Sequence, residues 1–257
     1  MNRITDSLEL KTRIVDWIKD YYTKSNLQSL VVGVSGGIDS AVVSTLCAKT
    51  GLPTYVVRMP LDSSHQNTRL SDLHAQQLAE KYDNVTNVQI ELSSVYDSLL
   101  HSIKWWSEAQ HFDKKEFTSD ELANANTKSR IRMVTLYQIA GAKKGIVVGT
   151  GNKVEDYGIG FYTKYGDGGV DIAPIADLYK TEVRELGWHL GVDALIIDAK
   201  PTDGLWDDGR SDEDQIGATY AELEEAMENG EGKAVDILYK FNNQNRHKMQ
   251  PIPTFKL

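Results

Sequence analysis

Six consecutive residues, Ser35-Gly36-Gly37-Ile38-Asp39-Ser40, carry the strongest chemical signal in this 257-residue chain. Two adjacent glycines let a backbone turn sharply and approach a ligand closely. Ser35 and Ser40 add hydroxyl donors, and a helix opening at this point contributes free N–H groups and a partial positive charge. Together these make a cradle for phosphate or pyrophosphate. Asp39 would repel a bare phosphate, so its place in the loop points to a bridging Mg²⁺. A plain turn, with Asp39 or Ser40 capping the helix, would need only part of this pattern. The GxxxxGK[ST] spacing of the common nucleotide loop is absent. Three other sets of residues could do chemistry. Asn126 and Arg130, spaced i and i+4, share one helix face. Glu155 and Asp156 are either metal ligands or two solvated acids on a helix. Asp167, followed by Gly168 and Gly169, is either a ligand-facing carboxylate or a turn aspartate.

The elements that must position these groups follow from apolar spacing. Leu8, Ile14, Trp17, Ile18 and Tyr21 recur at helical intervals and predict an N-terminal amphipathic helix. Leu30 to Val34 is a short Val-rich run of the kind buried on both faces of a parallel sheet. Thr54 to Met59, the run NVQIEL beginning at Asn87, and Gly145 to Thr150 read as three further strands. Helical patterns cover Thr68 to Tyr82 and Leu122 to Lys143. Strand and helix alternate, which predicts an α/β fold: an open, mostly parallel twisted sheet flanked by helices, in a Rossmann-like arrangement. Ligands in such sheets sit beyond the C-terminal strand ends, where SGGIDS, RMPLDSS and GTGNKVED all fall. After Leu178 the chain reads as helices and loops. Phe161 to Pro174 and Lys200 to Gly209 are rich in Gly and Asp, as functional loops are. The chain contains no repeat, low-complexity tract or Pro/Gly/Ser-rich linker, so residues 1–257 read as one domain.

Composition excludes several classes. A net charge of −9 argues against a nucleic-acid partner, which a basic face would serve. No stretch approaches the length of a membrane span, and the N-terminus lacks the pattern of a signal or transit peptide; both point to a cytoplasmic protein. A single cysteine, Cys47, rules out an intrachain disulfide framework and reads as a buried helical thiol.

The hexapeptide resembles the pyrophosphate loop of the N-type ATP pyrophosphatases, which cleave ATP between the α and β phosphates and adenylylate a substrate oxygen. Longer segments narrow the resemblance to the ammonia-dependent NAD synthetases, within the adenine nucleotide alpha hydrolase-like fold. These segments are Gly149 to Gly187, with YTKYGDGG its most specific part, NTKSRIRM from Asn126, KPTDGLW from Lys200, and RHKMQPIP from Arg246. They recur in the family's order over nearly the whole chain.

The resemblance implies roles residue by residue. Ser35, Gly36, Gly37, Ile38 and Ser40 match the pyrophosphate-binding positions, and Asp39 a carboxylate that helps ligate Mg²⁺. Glu155 matches the acidic ligand of a second Mg²⁺, together with the Thr202 hydroxyl. The interval from Glu155 to Lys164 is one residue longer than the family pattern, so counting backward from Lys164 selects Asp156 instead; Glu155 is preferred here. Arg58 and Thr150 fall near the adenosine part of ATP, and Lys180 near its phosphates. Asn126, Arg130, Lys164, Asp171, His247 and Lys248 match positions around deamido-NAD, the last two reaching across a dimer interface. Asp167 would attract ammonium and accept a proton, which with Lys180 makes it a catalytic candidate.

The implied reaction uses ATP, with Mg²⁺, to adenylylate the nicotinate carboxylate of deamido-NAD, after which ammonia displaces AMP. No glutaminase domain accompanies it. The resemblance also implies a homodimer, with the helix Leu122 to Lys143 as its expected contact. The loops at Lys200 to Gly209 and around Asp83 are candidates for closing over the site. Two alternatives remain at this point: another ATP pyrophosphatase, or a nucleotide sensor that keeps the loop without the reaction.

Overall fold

A computed structural model describes residues 7–61, 65–113, 115–202 and 211–256 of the protein. Its centre is a four-stranded sheet in the order β3-β2-β1-β4, built from β1 (Ser29–Gly33), β2 (Thr54–Arg58), β3 (Val85–Gln89) and β4 (Gly145–Val147). Every pairing is parallel. All four C-terminal ends therefore open on the same edge, as the alternating pattern predicts.

The burial of β1 explains its central place. Leu30, Val31 and Val32 are each fully buried. Because side chains alternate along a strand, Leu30 and Val32 enter the core on one face and Val31 the core on the other. The first face is covered by α1 (Ser7–Lys24), α2 (Ile38–Lys49), α3 (His65–Lys81) and, beyond a long loop, α6 (Lys180–Leu190) and α7 (Ala194–Ile197). The second is covered by α4 (Ser93–Ala109) and α5 (Glu121–Ala142), whose Ile131, Leu136, Ile139 and Ala140 pack against Val31, Val57 and Val147. Cys47 sits in the first core, fully buried, and burial pushes its thiol up to about 12, so it is an inert packing group.

A third core joins the C-terminal helices α8 (Asp212–Ile216), α9 (Tyr220–Asn229) and α10 (Val235–Met249) to a single π-helical turn, Val154–Ile159. Val154, Ile159, Tyr220 and Leu223 are its most buried members. Turns of this wide type collect at functional sites, and this one carries Glu155 and Asp156.

Several elements differ from the sequence reading. The third strand ends at Gln89, and the fourth is three residues long with an isolated bridge from Val148 to Ile172 beyond it. Helix α4 had no assignment; its exposed Val95, Leu99, Trp105 and Trp106 blur the apolar stripe on which such assignments rest. Asp83 precedes β3 and lies at the N-terminal edge of the parallel sheet, opposite the strand ends that carry the loops, so it cannot close over them. The Lys200 to Gly209 loop beyond Thr202, and Asp62 to Ser64 of RMPLDSS, lie outside the described residues.

Gly145 enters the sheet where β1 and β4 meet, and a Cβ there would come within 2.5 Å of the Ser29 carbonyl oxygen. Because that neighbour is backbone, the strands must separate. Gly145→Ala is expected to destabilise the protein by roughly 1–3 kcal/mol, read as a lower urea midpoint with an unchanged slope.

Candidate active site

The SGGIDS segment leaves β1 and enters α2, as read from the sequence. Gly36 has φ 92°, a left-handed conformation that suits glycine. Ser40 Oγ binds three parts of the turn: it accepts from Ser35 N at 3.2 Å, pairs with Ser35 Oγ at 3.1 Å and donates to the Gly37 carbonyl at 3.0 Å. Gly37 N in turn donates to Ser35 Oγ at 3.2 Å. The loop is thus pre-shaped, with the N-terminal end of a twelve-residue helix behind it.

Asp39, in the first turn of α2, faces two elements that lie far from it in the sequence. Lys180 Nζ lies 2.5 Å from Asp39 Oδ2 and 2.9 Å from Glu155 Oε1. The lysine is 4% exposed, and each carboxylate 16%. Asn152, fully buried, joins the group: its Nδ2 donates to Asp39 Oδ1 at 3.2 Å, and its Oδ1 accepts from the backbone N–H groups of Val154 and Glu155. Tyr220 Oη donates to Glu155 Oε1 at 2.6 Å, and its ring lies beneath Lys180, with Nζ 4.9 Å from the centroid.

The electrostatics follow. Burial opposes the charge on Lys180, but Asp39 and Glu155 outweigh it and hold the ammonium well above its ordinary range. Burial pushes the Glu155 carboxyl up, yet Lys180, Tyr220 and Asn152 bring it below its usual value. Burial lifts the Asp39 carboxyl, against the pull of Lys180. Among the described residues Asp156 has no such partners. Burial, then the charges of Glu155, Asp167 and Asp39, push its carboxyl up to about 7. Its oxygens stand so close to Gly151 that a Cβ there would collide with them.

The YTKYGDGG segment wraps against α5. Asp167 Oδ1 accepts from Ser129 Oγ at 2.8 Å and from Thr163 N at 2.9 Å, and its own N–H donates to Ser129 Oγ at 3.0 Å. Its second oxygen is unengaged among the described residues. Asn126 Oδ1 accepts from Thr163 Oγ1 at 2.6 Å, and Arg130 Nε reaches the Lys164 carbonyl at 3.3 Å. The i, i+4 pair on α5 therefore meets this loop, as its shared face implies. Lys164 Nζ and Lys248 Nζ tie the loop to α10: the former binds the His247 carbonyl at 3.1 Å, the latter the carbonyls of Gly160 and Tyr162, both at 2.9 Å.

The remaining candidates differ in how they are engaged. Asp171 accepts from Val147 N at 2.7 Å and from Tyr137 Oη at 3.0 Å, which extends β4. Arg58, at the C-terminal end of β2, is held by Asn87, Gln89 and Asp72. Thr150 follows β4 and is half-buried, and Thr202 closes the described segment before α8. The sequence reading passed over Asn152, Ser129 and Tyr220. Asn152 carried a usable signal, since Asn three residues before Glu155 is a helix-start pattern. Tyr220 carried none, because it lies 65 residues from the glutamate it binds.

Asp39, Glu155 and the Thr202 hydroxyl are hard oxygen donors of the kind that hold Mg²⁺ together with substrate phosphates. Among the described residues no three His, Cys, Asp or Glu side chains form a self-sufficient metal cluster, so phosphate oxygens would have to complete the coordination. The carboxylates already flank a positive charge, the Lys180 ammonium, which shows that the arrangement suits a cation.

Comparison with known proteins bears on the whole chain. The NAD synthase family model matches residues 10–254. The NH(3)-dependent NAD(+) synthetase of Finegoldia magna is 35% identical over 245 residues, 95% of this chain and 94% of that one. Among solved structures, the NMN synthetase of Francisella tularensis superposes with a TM-score of 0.88 at 32% identity, covering 99% of this chain and 100% of the other. The NH3-dependent NAD synthetase of Campylobacter jejuni gives 0.76 at 25% identity, covering 98% and 100%.

The folded protein binds the Asp156 proton more tightly than the unfolded chain does. That carboxyl therefore costs stability as pH rises from about 4 to about 7 and costs most above 7. In EDTA, Asp156→Asn is expected to gain roughly 1–3 kcal/mol over the parent at pH 8. The gain should shrink as pH falls towards 4 in denaturant melts.

Proposed function

The chain belongs to the NAD synthase family, and from that premise we propose how its site carries out ammonia-dependent synthesis of NAD. The protein is a ligase that forms a C–N bond, with ATP as a substrate. The observation that carries the mechanism is the ion group at the strand ends: Lys180 held between Asp39 and Glu155, beside the SGGIDS turn.

ATP lies with its phosphates on the Ser35–Ser40 turn and its adenosine toward Thr150 and Arg58. Asp39, Glu155 and Thr202 would hold Mg²⁺, which would neutralise polyphosphate charge. The substrate carboxylate attacks the α-phosphorus; a C–O–P linkage forms as the bond to the β-phosphate oxygen breaks. Lys180 follows the growing charge on pyrophosphate, and the loop donors stabilise it as it leaves. Little covalent chemistry is asked of the side chains, so positioning dominates. Deamido-NAD is gripped by Asn126, Arg130, Lys164 and Asp171, with His247 and Lys248 closing from α10. Ammonium is drawn to the unengaged oxygen of Asp167 and gives up a proton there. Ammonia then attacks the acyl carbon, and AMP departs with the former carboxylate oxygen.

The likeness to an NMN synthetase at a TM-score of 0.88 favours a second substrate, the mononucleotide carrying the same nicotinate carboxylate. Both readings share one chemistry and differ in the acceptor. The assay supplies Mg-ATP and ammonium chloride with either deamido-NAD or nicotinate mononucleotide, and follows amide product, AMP and pyrophosphate. Equal yields of NAD and AMP are expected from deamido-NAD, and loss by at least about a hundredfold in Asp39→Ala. Higher kcat/KM on the mononucleotide would make that the acceptor. ATP cleavage with neither would overturn the assignment of this site.

We also propose a cytoplasmic homodimer, since ATP is its substrate and α5 exposes Leu122 and Val134, each 61% accessible. Sedimentation should give twice the 28.7 kDa chain mass. Val134→Arg is expected to yield monomers of reduced activity; an unchanged dimer would put the contact elsewhere.

A further inference from the structure

Glu155 is fixed from two directions. Asn152 holds its backbone and Lys180 binds Oε1 at 2.9 Å, both from the half of the molecule that carries the sheet. The other donor comes from the C-terminal helices. Tyr220, the first residue of α9, is 1% exposed and packs among Val154, Ile159, Ile216 and Leu223. Its hydroxyl donates to the same Oε1 at 2.6 Å, with Asp212 Oδ2 beyond it at 3.4 Å.

Both donors converge on Oε1, and the Asn152 side chain adds a hydrogen bond to the same carboxylate. A carboxylate pinned by donors on fixed elements keeps one orientation. The two donors differ in permanence. Lys180 has an alternative engagement, the polyphosphate, and Asp39 as a second partner. Tyr220 is locked by its core, and among the described residues Asp212 is the other acid within reach of its hydroxyl. When the ammonium turns toward phosphate, the tyrosine hydroxyl stays on Glu155 Oε1. Its ring, beneath Lys180 Nζ, also supports the cation from the apolar side.

We propose that Tyr220 is a positioning residue of the reaction: acting from the C-terminal core, it holds Glu155 in the orientation that receives the metal ion that accompanies ATP. This rests on the reading of Glu155 as a metal ligand. Partners of metal ligands commonly influence metal affinity by about 10- to 100-fold, and the hydroxyl here is such a partner.

The test measures Mn²⁺ binding by electron paramagnetic resonance, with α,β-methylene ATP present, for the parent, Tyr220→Phe, Leu223→Ala and Glu155→Gln. Leu223 is fully buried in the same core and touches the melting temperature without reaching the ion group. Tyr220→Phe keeps the ring and the fold. It is expected to weaken Mn²⁺ about tenfold and raise KM for Mg-ATP while leaving KM for the nicotinate substrate unchanged. Leu223→Ala is expected to lower the melting temperature at parental Mn²⁺ affinity. The inference is overturned if Tyr220→Phe binds Mn²⁺ as the parent does while Glu155→Gln does not, or if Leu223→Ala weakens binding as much as Tyr220→Phe. Parental binding by Glu155→Gln would overturn the metal reading itself, and this inference with it.

Discussion

A lysine ammonium buried between two carboxylates is the constraint around which the molecule is arranged. Taking such charges out of water is costly unless geometry and further hydrogen bonds compensate. Here the compensation comes from four separate pieces of chain. Asp39 stands at the start of α2, Glu155 in the π-helical turn, Lys180 at the start of α6 and Tyr220 at the start of α9. If any of these elements shifted, a buried charge would lose its partner. The sheet and the C-terminal helices are thus held in register by electrostatics as well as by packing. Asn152 links the group to the backbone of the turn that carries Glu155.

The same group suits the proposed chemistry because it is unequal. One cation faces two acids, so the group keeps residual negative charge, as a site for a divalent ion balanced by phosphate would require. Asp156 adds a further acid with no side-chain partner among the described residues, which the fold tolerates at a cost in stability. Retaining a destabilising group beside the proposed reaction site would be a familiar exchange of stability for function.

Much of this was legible in the sequence where the signal is local. The Val-rich β1 and the glycine turn beyond it announce themselves through composition and order, and the structure places them as read. Asn126 and Arg130 do share a face, because helical spacing alone decides that. What escaped was set by long-range packing. Tyr220 and Glu155 meet only because a third core brings α9 onto the π-helical turn. Helix α4 escaped because its aromatic residues are exposed, so no inward stripe marks it. Asp83 was misjudged because a polar turn looks the same at either edge of a sheet; only strand direction tells them apart.

The fastening of α10 to the YTKYGDGG loop is made largely through main-chain oxygen. Lys164 binds the carbonyl of His247, and Lys248 those of Gly160 and Tyr162. Asn242 and Asn245 likewise bind the carbonyls of Gly158 and Ile159. A carbonyl is present whatever residue supplies it, so the bonds to His247, Tyr162 and Ile159 do not depend on those side chains. Gly158 and Gly160 are different, because a Cβ there would meet Met227 and Asn245 within 2.7 and 2.5 Å. An insertion or deletion there would move every acceptor out of reach at once. Outside its two glycines the seam tolerates spelling changes but not changes in length.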